Sequence, residues 1–471
     1  MEKSARIAAP IVTITRRGAD RIRGGHVWVY RSDLVDAGGA GPGSVVVVQE
    51  QVSAHQRGAD KSVHSTRTLS DRSVRPTRSG VPRALGCAFY STASEIAIRM
   101  ISPKPVADVD ALVRERIRAS VAYRERFVQN TNAYRVVFSE GDFLPGLIVD
   151  KYNDILSLQV LTQAMDAEPI RRSFLSELQS ALSPASIFER VDPRVRKLEQ
   201  LPDKESGLLQ ENPNERVIPR PFRAEEPALG PEETGFSPLK RFGMTPQEGG
   251  ATGGIPVASK TTTEFQMNAV RFVYDAQTGQ KTGAFLDQRE NYAAAEKYAR
   301  GEALDLFCYQ GGFALHLART CDKVTGVDSS RPALEAADQN ASLNGREVEW
   351  IEANAFDLLR DYSDAGRKYD TIVLDPPAFA KSRQNRETAI RGYKELNLRA
   401  LKMLRPGGVL VTCSCSYHVS GADLLEVLIS AALDSHRIVR ILENRGQAKD
   451  HPSVLGIPET AYLKCLIAVV S

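Results

Sequence analysis

Long apolar runs are missing from this sequence. No segment reaches the roughly 18 uncharged apolar residues that a membrane span needs. The opening segment, MEKSARIAAPIVTITRRGAD, has no apolar core followed by a cleavage site, so it lacks the pattern of a secretion signal. We therefore expect a cytoplasmic protein without a membrane partner.

Cysteine is scarce, with six residues in a chain of 471. The six are scattered, which argues against the dense disulfide framework of a small secreted protein. Zinc sites typically combine cysteines or histidines at short fixed spacings. The sequence contains no CxxC pair and no HExxH, and a single residue separates Cys413 from Cys415. We therefore expect no bound metal.

A strong charge imbalance is absent as well. The formal net charge is +3, which is too small to indicate a nucleic-acid partner by itself. Any site for a polyanion must therefore be a local cluster of basic residues. Such clusters are Arg16, Arg17, Arg21, Arg23 and Arg31 near the N-terminus and, further along, Lys381, Arg383 and Arg386. Each of these residues could equally be a solvated surface charge.

The length predicts about two to three domains. Residues 1–103 are expected to form a small β-rich module, because short runs of β-branched and aromatic residues alternate with glycine-rich turns. Inside it, residues at about 51–80 are rich in serine and arginine and lack apolar periodicity, which predicts a disordered insertion. Residues 104–205 are predicted to form an α+β unit that opens with a helix over VDALVRERIRASVAYRERF.

The second half of the chain contains two segments of different composition. Residues 206–262 are rich in proline, glycine and glutamate with few large apolar residues, so we expect a disordered linker. From 263 to 471, strand-type and helix-type segments alternate. This alternation predicts an α/β domain with a doubly wound parallel sheet, in which ligands bind at the carboxyl ends of the strands.

The turn after the first strand of this sheet has glycines that allow a ligand close to the backbone. Gly311 and Gly312 follow DLFCYQ, and a helix is predicted to start at Gly312. The next strand ends at Asp328, where a carboxylate can accept from both hydroxyls of a ribose. The strict GxGxxG pattern of dinucleotide sites is absent. We predict a nucleotide-like cofactor, with a purely structural turn as the alternative.

The later strands of the sheet end in polar or reactive groups. Asn354 follows the third strand and could meet an adenine amine or simply cap the next helix. Asp375 follows the fourth strand, and the two prolines behind it end strand pairing. The fifth strand ends in VTCSCS, where alternation puts Cys413 and Cys415 on the same face. A turn-capping aspartate and a buried cysteine are the structural alternatives.

Several segments together resemble a known family. They are EGDFLPGLIVDKY, GQKTGAFLDQREN, LDLFCYQGGFALHLA, VTGVDSS, VLDPPAFAKS and RGYKELNLRALKMLRPGGVLVTCSCS. These stretches are similar to class I S-adenosylmethionine-dependent methyltransferases, and more closely to the bacterial large-subunit ribosomal RNA methyltransferase I family. The resemblance covers nearly everything outside the two predicted insertions. It implies a C-terminal Rossmann-like methyltransferase domain, preceded by an N-terminal PUA-like β-barrel that binds RNA and by a linking α+β domain.

The resemblance also implies an activity. The family makes 5-methylcytosine in 23S ribosomal RNA with S-adenosylmethionine, so RNA is the expected partner; a homodimer is left open. Carbon 5 of cytosine is a poor nucleophile, and a thiolate that adds to carbon 6 makes carbon 5 enamine-like. By resemblance, Cys415 is this nucleophile and Asp375 hydrogen-bonds the N3 and amino edge of the cytosine. The base that removes the proton of carbon 5 is not identified.

The expected sites extend over several strand ends and the segment GAFLDQREN before them. The expected cofactor-binding residues are Phe285, Asp287, Gln288, Arg289, Asp305, Phe307, Tyr309, Gly311, Gly312, Asp328, Ser329, Asn354, Ala355 and Asp375. The expected substrate-binding residues are Pro376, Pro377, Phe379, Lys381 and Arg383. Asp287 is also a fair helix N-cap, and many methyltransferases of this class carry Asp where this chain has Asn354. Phe379 either stacks on an extruded base or packs in the core.

Two other functions remain open. DPPAF also resembles the loop with which guanine or adenine N-methyltransferases act on nitrogen atoms, and those reactions need no thiol. The second alternative is a non-catalytic RNA-binding assembly factor. An enzyme that stays active without Cys415 would indicate the first, and failure to bind S-adenosylmethionine would indicate the second.

Overall fold

The structure, a computed structural model, describes residues 9–51, 84–211, 261–277, 283–380 and 383–471. The two segments expected to be disordered, about 51–80 and 206–262, lie almost entirely outside these residues. The described strands form sheets of six, five, two and seven strands. No described helix combines the length and the apolar content that crossing a membrane requires.

The N-terminal unit is built on the six-stranded sheet. Its elements are β1 (Ile11–Ile14), α1 (Arg16–Arg23), β2 (Trp28–Tyr30), β3 (Leu34–Asp36), β4 (Val45–Glu50), β5 (Ala84–Tyr90) and β6 (Ile96–Ser102). The strand order is β2-β6-β5-β4-β1-β3. Helix α1 begins where the Thr15 hydroxyl accepts a hydrogen bond from the Gly18 amide at 3.2 Å. The sequence did not predict this helix, because RRGADRIR has no apolar stripe to reveal it.

The central unit is an α+β layer with a five-stranded sheet. Its elements are α2 (Val109–Phe127), β7 (Ala133–Phe138), β8 (Leu147–Tyr152), β9 (Ile155–Val160), α3 (Gln163–Asp166), α4 (Glu168–Leu182), β10 (Ser186–Glu189), α5 (Pro193–Leu198) and β11 (Gly207–Glu211). The strand order is β11-β10-β9-β8-β7. Helix α2 covers the predicted segment, and the Asp108 carboxylate caps it by accepting from the Ala111 amide at 2.9 Å.

Strand β11 corrects the predicted start of the linker. Gly207–Glu211 pairs antiparallel with β10, and Leu209 packs against the core of the central unit. The segment GLLQE is short, and its two leucines are adjacent, so it lacks the alternation that marks a strand. Pairing with β10 stabilises it. The other predicted domain boundaries stay predictions.

The C-terminal unit contains the seven-stranded sheet. Its elements are β12 (Thr262–Met267), β13 (Val270–Asp275), α6 (Arg289–Tyr298), β14 (Glu302–Leu306), α7 (Gly312–Leu317), β15 (Lys323–Asp328), α8 (Arg331–Leu343), β16 (Glu349–Glu352), α9 (Ala355–Asp364), β17 (Tyr369–Leu374), α10 (Arg386–Met403), β18 (Leu404–Ser414), α11 (Gly421–Asp434), β19 (Val439–Arg445) and β20 (Lys464–Val470). Strands β12 and β13 form the predicted hairpin. The large sheet has the order β16-β15-β14-β17-β18-β20-β19.

Strand β20 departs from the parallel arrangement that the sequence predicts. It runs antiparallel to both β18 and β19, whereas β14 to β18 pair in parallel. A parallel neighbour needs a crossover connection, usually a helix. The segment 446–463 between β19 and β20 contains no α-helix, so β20 inserts from the opposite direction.

The segment between β19 and β20 also joins the C-terminal unit to the central unit. Asp450 Oδ1 accepts from the Arg289 guanidinium at 3.1 Å, and its Oδ2 accepts from the Arg135 amide at 2.8 Å. The Asp450 carbonyl accepts from the Arg124 guanidinium at 2.7 Å. Arg124, Arg289 and Asp450 are almost completely buried. Because a buried charge without a partner is costly, this network fixes the two units against each other.

Candidate active site

Strand β14 ends in a buried carboxyl group. Asp305 Oδ2 accepts from the Ala314 amide of helix α7 at 2.9 Å. Its Oδ1 is buried and has no hydrogen-bond partner among the described residues. Burial is the main cause that raises the pKa of Asp305 well above its usual value, and the nearby Asp375 carboxylate acts in the same direction. The raised pKa favours the neutral carboxyl in the absence of a ligand, whereas a cationic or hydrogen-bond-donating ligand beside Oδ1 would stabilise the carboxylate.

The turn between β14 and α7 brings backbone close to this crevice. Phe307, Tyr309 and Gly311 have φ values of 65°, 50° and 84°, so the turn uses the left-handed region repeatedly. A Cβ atom added at Gly312 would lie 2.5 Å from the buried ring of Tyr292. Glycine is needed at position 312 for this packing, and the predicted helix does start there.

Asp328 holds this turn against the next loop. Its Oδ2 accepts from the Tyr309 amide at 3.0 Å and its Oδ1 accepts from the Ser330 amide at 2.9 Å. A carboxylate has lone pairs for further donors, so these contacts leave room for ribose hydroxyls. Ser329 is exposed beside it.

Asn354 serves as the N-cap of α9. Its side-chain oxygen accepts from the Phe356 amide at 2.9 Å and from the Asp357 amide at 3.4 Å. Both lone pairs of that oxygen are therefore engaged by the helix, and only the exposed amide nitrogen could meet a cofactor. Ala355 is the first residue of the helix and is buried.

The loop before α6 meets the end of β17. Gln288 Nε2 donates to Asp375 Oδ1 at 2.8 Å, and Gln288 Oε1 accepts from Asn291 Nδ2 at 2.7 Å. Burial and the nearby Asp287 carboxylate raise the pKa of Asp375 to about 7, while the Gln288 hydrogen bond acts in the opposite direction. Asp375 can therefore carry a proton near neutral pH.

Two members of the same loop have different surroundings. Phe285 is 42% exposed and its ring meets Tyr309 edge-on with centroids 5.0 Å apart, so an aromatic surface borders the glycine turn. Arg289 does not join this cluster. Its guanidinium donates to Asp450 and to the Ala133 carbonyl, and it is 1% exposed. The expectation that Arg289 contacts the cofactor is corrected by this placement, because its buried guanidinium pairs with Asp450 instead.

The two cysteines at the end of β18 differ sharply. Cys413 is fully buried and pairs across the sheet with Cys465. Burial raises the pKa of the Cys413 thiol well above its usual value, so it is a poor nucleophile. Cys415 lies just beyond the strand, is partly exposed, and its Sγ is 3.9 Å from the Pro376 carbonyl oxygen. Of the pair, Cys415 is the thiol that a substrate can reach.

A buried tyrosine that the sequence did not single out holds the Cys415 turn. The Tyr393 hydroxyl on α10 lies 3.0 Å from the hydroxyls of both Ser414 and Ser416. The Ser416 hydroxyl also accepts from the Ala380 amide at 3.3 Å. The turn that carries the thiol is thus joined to the loop after Asp375. No local pattern marks Tyr393, which looks like an ordinary apolar position of a helix.

A lysine near Cys415 was also not predicted. Lys464 Nζ donates to the Ser416 carbonyl at 2.7 Å and to the Tyr462 carbonyl at 2.8 Å. Burial lowers the pKa of Lys464 to about 8, and the negative charge of Cys415 acts in the opposite direction. The Tyr462 hydroxyl in turn donates to Asp287 Oδ2 at 2.5 Å. A lysine in the apolar strand YLKCLIAVV was the available signal.

The loop after Asp375 contains the remaining predicted substrate contacts. Pro376 is buried and Pro377 is exposed. Phe379 packs against Tyr393 and Phe356, with ring centroids 4.8 Å and 5.7 Å apart, so packing accounts for its position. Lys381 and the side chain of Arg383 fall outside the part of the chain that the structure describes.

Most of the basic residues suggested for RNA contacts already have partners. Arg17 and Arg21 bond to the buried Asp33, and Arg31 donates to the Ser91 and Ser94 carbonyls. The remaining pairs are Arg16 and Arg23 with Asp20, Arg23 with Glu50, and Arg386 with Asp423. These pairs reduce the positive charge at both clusters. Among the described residues, no group of acidic, histidine and cysteine side chains could hold a metal ion.

The sheet order and the acidic crevice together define a class of protein. Five parallel strands, with β20 inserted antiparallel, place Asp305, Asp328 and Asp375 at one edge beside a glycine turn. The cationic sulfonium and amino groups of S-adenosylmethionine fit this charge, and the unpartnered Oδ1 of Asp305 offers them an acceptor. The C-terminal unit has the fold of a class I S-adenosylmethionine-dependent methyltransferase.

Comparisons with known proteins agree with this class. The sequence pattern of a family described as S-adenosylmethionine-dependent methyltransferases matches residues 252–466, and that of a PUA-like domain matches residues 12–53. A putative methyltransferase solved in complex with SAH has a TM-score of 0.70 and 15% identity, covering 98% of this chain and 100% of its own. A putative methyltransferase from Streptococcus mutans has a TM-score of 0.69 and 16% identity, with the same coverage. At these identities, the structures show the shared fold.

Curated relatives narrow the class to a family. "Ribosomal RNA large subunit methyltransferase I" of Photobacterium profundum is 34% identical over 384 residues, which are 80% of this chain and 84% of the relative. The proteins of the same name from Tolumonas auensis and Escherichia coli strain SMS-3-5 are 35% and 33% identical, each over 80% of this chain and 85% of the relative. The chain belongs to the ribosomal RNA large subunit methyltransferase I family, and its cofactor is S-adenosylmethionine.

Proposed function

We propose that the protein transfers the methyl group of S-adenosylmethionine to carbon 5 of a cytosine in large-subunit ribosomal RNA, with Cys415 as a transient covalent nucleophile. The observation that carries this proposal is the position of Cys415. Its thiol is partly exposed beyond β18, 3.9 Å from the carbonyl of Pro376, which directly follows Asp375. Cys413 is buried in the sheet and is unsuited to this role.

The chemistry needs a nucleophile because carbon 5 of cytosine is unreactive. The Cys415 thiolate would form a bond to carbon 6, and the electron pair of the C5–C6 double bond would move toward N3 and make carbon 5 enamine-like. Carbon 5 would then form a bond to the methyl group that S-adenosylmethionine supplies, the bond between that methyl group and the sulfonium would break, and S-adenosylhomocysteine would leave. A base would then remove the proton of carbon 5, the double bond would re-form, and the C6–S bond would break to return the thiolate.

Asp375 suits the addition step. Its pKa of about 7 lets one carboxyl oxygen donate a proton to N3 while the other accepts from the exocyclic amine of cytosine. Donation to N3 compensates the charge that builds up when the thiolate adds, and this proton would return to Asp375 when the ring regains its aromaticity. The hydrogen bond from Gln288 fixes the orientation of the carboxyl group without removing its proton.

The remaining residues of the crevice suit the cofactor. We assign to cofactor binding Phe285, Asp287, Gln288, Asp305, Phe307, Tyr309, Gly311, Gly312, Asp328, Ser329, Asn354 and Ala355, without Arg289. The names of the curated relatives suggest ribosomal RNA of the large subunit as the substrate. The PUA-like match at residues 12–53 supports an RNA partner, since such domains bind RNA in the family resembled.

Two alternatives make different predictions. An N-methyltransferase that acts on guanine or adenine would use Asp375 as an acceptor and would need no thiol. An RNA-binding assembly factor would leave the crevice without catalytic use. The reachable Cys415 thiol favours the C5 reaction, because neither alternative gives it a role.

The test is methylation of unmodified large-subunit ribosomal RNA with radiolabelled S-adenosylmethionine, followed by digestion to nucleosides. We expect labelled 5-methylcytidine with the wild-type protein and none with Cys415→Ala. Cys321→Ala is the matched control: Cys321 is also partly exposed, but burial raises the pKa of its thiol to about 11, so this variant should stay active. Labelled guanosine or adenosine that survives Cys415→Ala would overturn the proposal.

A further inference from the structure

Strand pairing places a lysine next to the Cys415 turn. The antiparallel pair of β18 and β20 ends with Lys464 opposite Ser414, one residue before Cys415. The Lys464 ammonium then donates to the carbonyl of Ser416, one residue after Cys415, and to the carbonyl of Tyr462. An ammonium group has three N–H donors, so these two bonds orient it while leaving a third hydrogen.

The charges around the two groups favour an interaction between them. The proximity of Cys415 and of Asp423 acts to raise the pKa of Lys464, and Asp423 already pairs with Arg386. The other polar groups at this turn carry no positive charge: the Tyr393 hydroxyl bonds to Ser414 and Ser416, and Asp375 directly precedes Pro376, whose carbonyl is 3.9 Å from the Cys415 thiol. The Lys464 ammonium is therefore a positive charge that strand pairing fixes beside the Cys415 turn. A cation beside a thiol favours the thiolate form.

We propose that the Lys464 ammonium stabilises the thiolate of Cys415 and so acts as a positioning residue for the nucleophile. When the thiol ionises, its proton goes to solvent and Lys464 keeps its own protons. The same charge stabilises the thiolate that leaves when the C6–S bond breaks. The use of this thiolate in catalysis rests on the proposed function, whereas its stabilisation does not.

The hydrogen bonds of Lys464 favour this electrostatic role over that of a general base. Both carbonyl partners accept hydrogen bonds, and they stabilise the charged ammonium in preference to the neutral amine. Burial acts against the charge and lowers the pKa of Lys464 to about 8, which still leaves the group mostly protonated at pH 7. An arginine at this position would keep the charge and could not act as a base.

The experiment measures alkylation of Cys415 by iodoacetamide as a function of pH, in the absence of RNA and S-adenosylmethionine. The modified Cys415 peptide is quantified by mass spectrometry, which separates it from the partly exposed Cys321. We expect Lys464→Gln to move the alkylation midpoint to higher pH by about one unit, so that the reaction at pH 7 is about tenfold slower. Gln removes the charge and keeps a polar side chain with N–H donors.

Two further variants make the result specific. Lys464→Arg should keep the alkylation midpoint close to that of the wild-type protein, because the charge remains. Lys402→Met removes a solvent-exposed lysine at the end of α10 and should change nothing. Equal midpoints for the wild-type protein and Lys464→Gln, with both folded by circular dichroism, would overturn the inference.

Methylation assays separate this inference from the proposed function. If Cys415 is the nucleophile, Lys464→Gln should be slower than the wild-type protein at pH 7, and the ratio of the two rates should approach one at alkaline pH, where the thiol ionises without help. If the alkylation midpoint shifts while Cys415→Ala still methylates RNA, the thiolate is stabilised as inferred and the proposed function is wrong. If Lys464→Arg alkylates normally but its methylation is lost at every pH, Lys464 acts as a base and the electrostatic role is insufficient.

Discussion

At the scale of single residues, the site contains a carboxyl group whose protonation is set by its surroundings. Asp375 is held by Gln288 beside Asp287, and burial is the main cause of its raised pKa. A raised pKa is unusual for a carboxyl group in contact with a hydrogen-bond donor, and desolvation outweighs that donor here. Such groups occur where a carboxylic acid has to donate a proton at neutral pH.

We expect kcat/KM for RNA, measured at saturating S-adenosylmethionine, to fall as the pH rises above about 7. The pKa of Asp375 is raised to about 7, so the proton that it offers to N3 is present below this pH and lost above it. Asp375→Asn should lower the rate by roughly 10²–10⁴-fold and remove this falling limb. Initial rates from about pH 5.5 to 9 measure it, with the exposed Asp357→Asn as the control.

A kcat/KM that rises with pH in this range would identify a different chemistry. An N-methyltransferase needs Asp375 as an ionised acceptor, so its rate would rise through the same pH range and then stay constant. A profile of that shape, together with an unaffected Cys415→Ala, would contradict cytosine C5 methylation.

At the scale of elements, the cofactor crevice is made by turns at the ends of β14, β15 and β17. The β14–α7 turn uses positive φ at Phe307, Tyr309 and Gly311, and the Asp328 carboxylate fastens it from the neighbouring strand. Two of those three residues have side chains, so the conformation depends on outside support. The crevice is therefore sensitive to small changes of packing behind the turn.

Gly312→Ala should weaken the binding of S-adenosylmethionine. The new methyl group would lie 2.5 Å from the Tyr292 ring, and that ring is buried, so the turn has to move. Overpacking of this kind costs about 1–3 kcal/mol, which corresponds to roughly 5- to 150-fold in Kd if the turn takes up the strain. Isothermal titration calorimetry measures the Kd of S-adenosylmethionine for the variant and the wild-type protein.

The control is Gly41→Ala in the N-terminal unit, where a Cβ atom would make an ordinary contact at 3.7 Å with the Ser44 hydroxyl. This variant should bind S-adenosylmethionine as the wild-type protein does. An unchanged Kd for Gly312→Ala would show that the Tyr292 ring yields and that the turn is not held from behind.

At the scale of the whole molecule, the C-terminal and central units are joined through buried charges. Asp450 accepts hydrogen bonds from Arg289, Arg124 and the Arg135 amide, using both carboxylate oxygens and its carbonyl. Although its burial acts in the opposite direction, the neighbouring His451 and the Arg289 guanidinium lower the pKa of Asp450 below its usual value. The segment between β19 and β20 that contains Asp450 also contains Tyr462, whose hydroxyl donates to Asp287 Oδ2.

Asp450→Ala should destabilise the protein by about 3–5 kcal/mol, because Arg289 is left buried without its partner. Urea unfolding followed by circular dichroism measures the loss. Asp434→Ala is the control: Asp434 pairs with Lys394 at the surface and is 49% exposed, so its loss should cost under about 1 kcal/mol. Equal urea midpoints for the two variants would contradict a stabilising junction.

The lowered pKa of Asp450 predicts how its contribution to stability depends on pH. Because its pKa is lowered in the folded protein, Asp450 contributes its full stabilisation above the ordinary carboxyl value of 3.8. The contribution is lost as the pH falls below that value toward the lowered pKa. The difference in stability between wild type and Asp450→Ala should therefore shrink in acid.

The sequence by itself determined the α/β alternation, the glycine turn with Asp328, the Asp375 loop and the pair of cysteines. These features have local signals, because strand ends, prolines and glycines constrain the backbone of their own neighbourhood. Family resemblance added the PUA-like unit and the cofactor, which the comparisons support.

Only the tertiary structure decided which residues meet. It buried Cys413 while leaving Cys415 reachable, drew Arg289 to Asp450, and brought Tyr393 and Lys464 to the Cys415 turn. Each of these contacts joins segments that are far apart in the chain, through strand register and helix packing. Local patterns carry no record of such partners, since the free energy that selects them arises when the whole core closes.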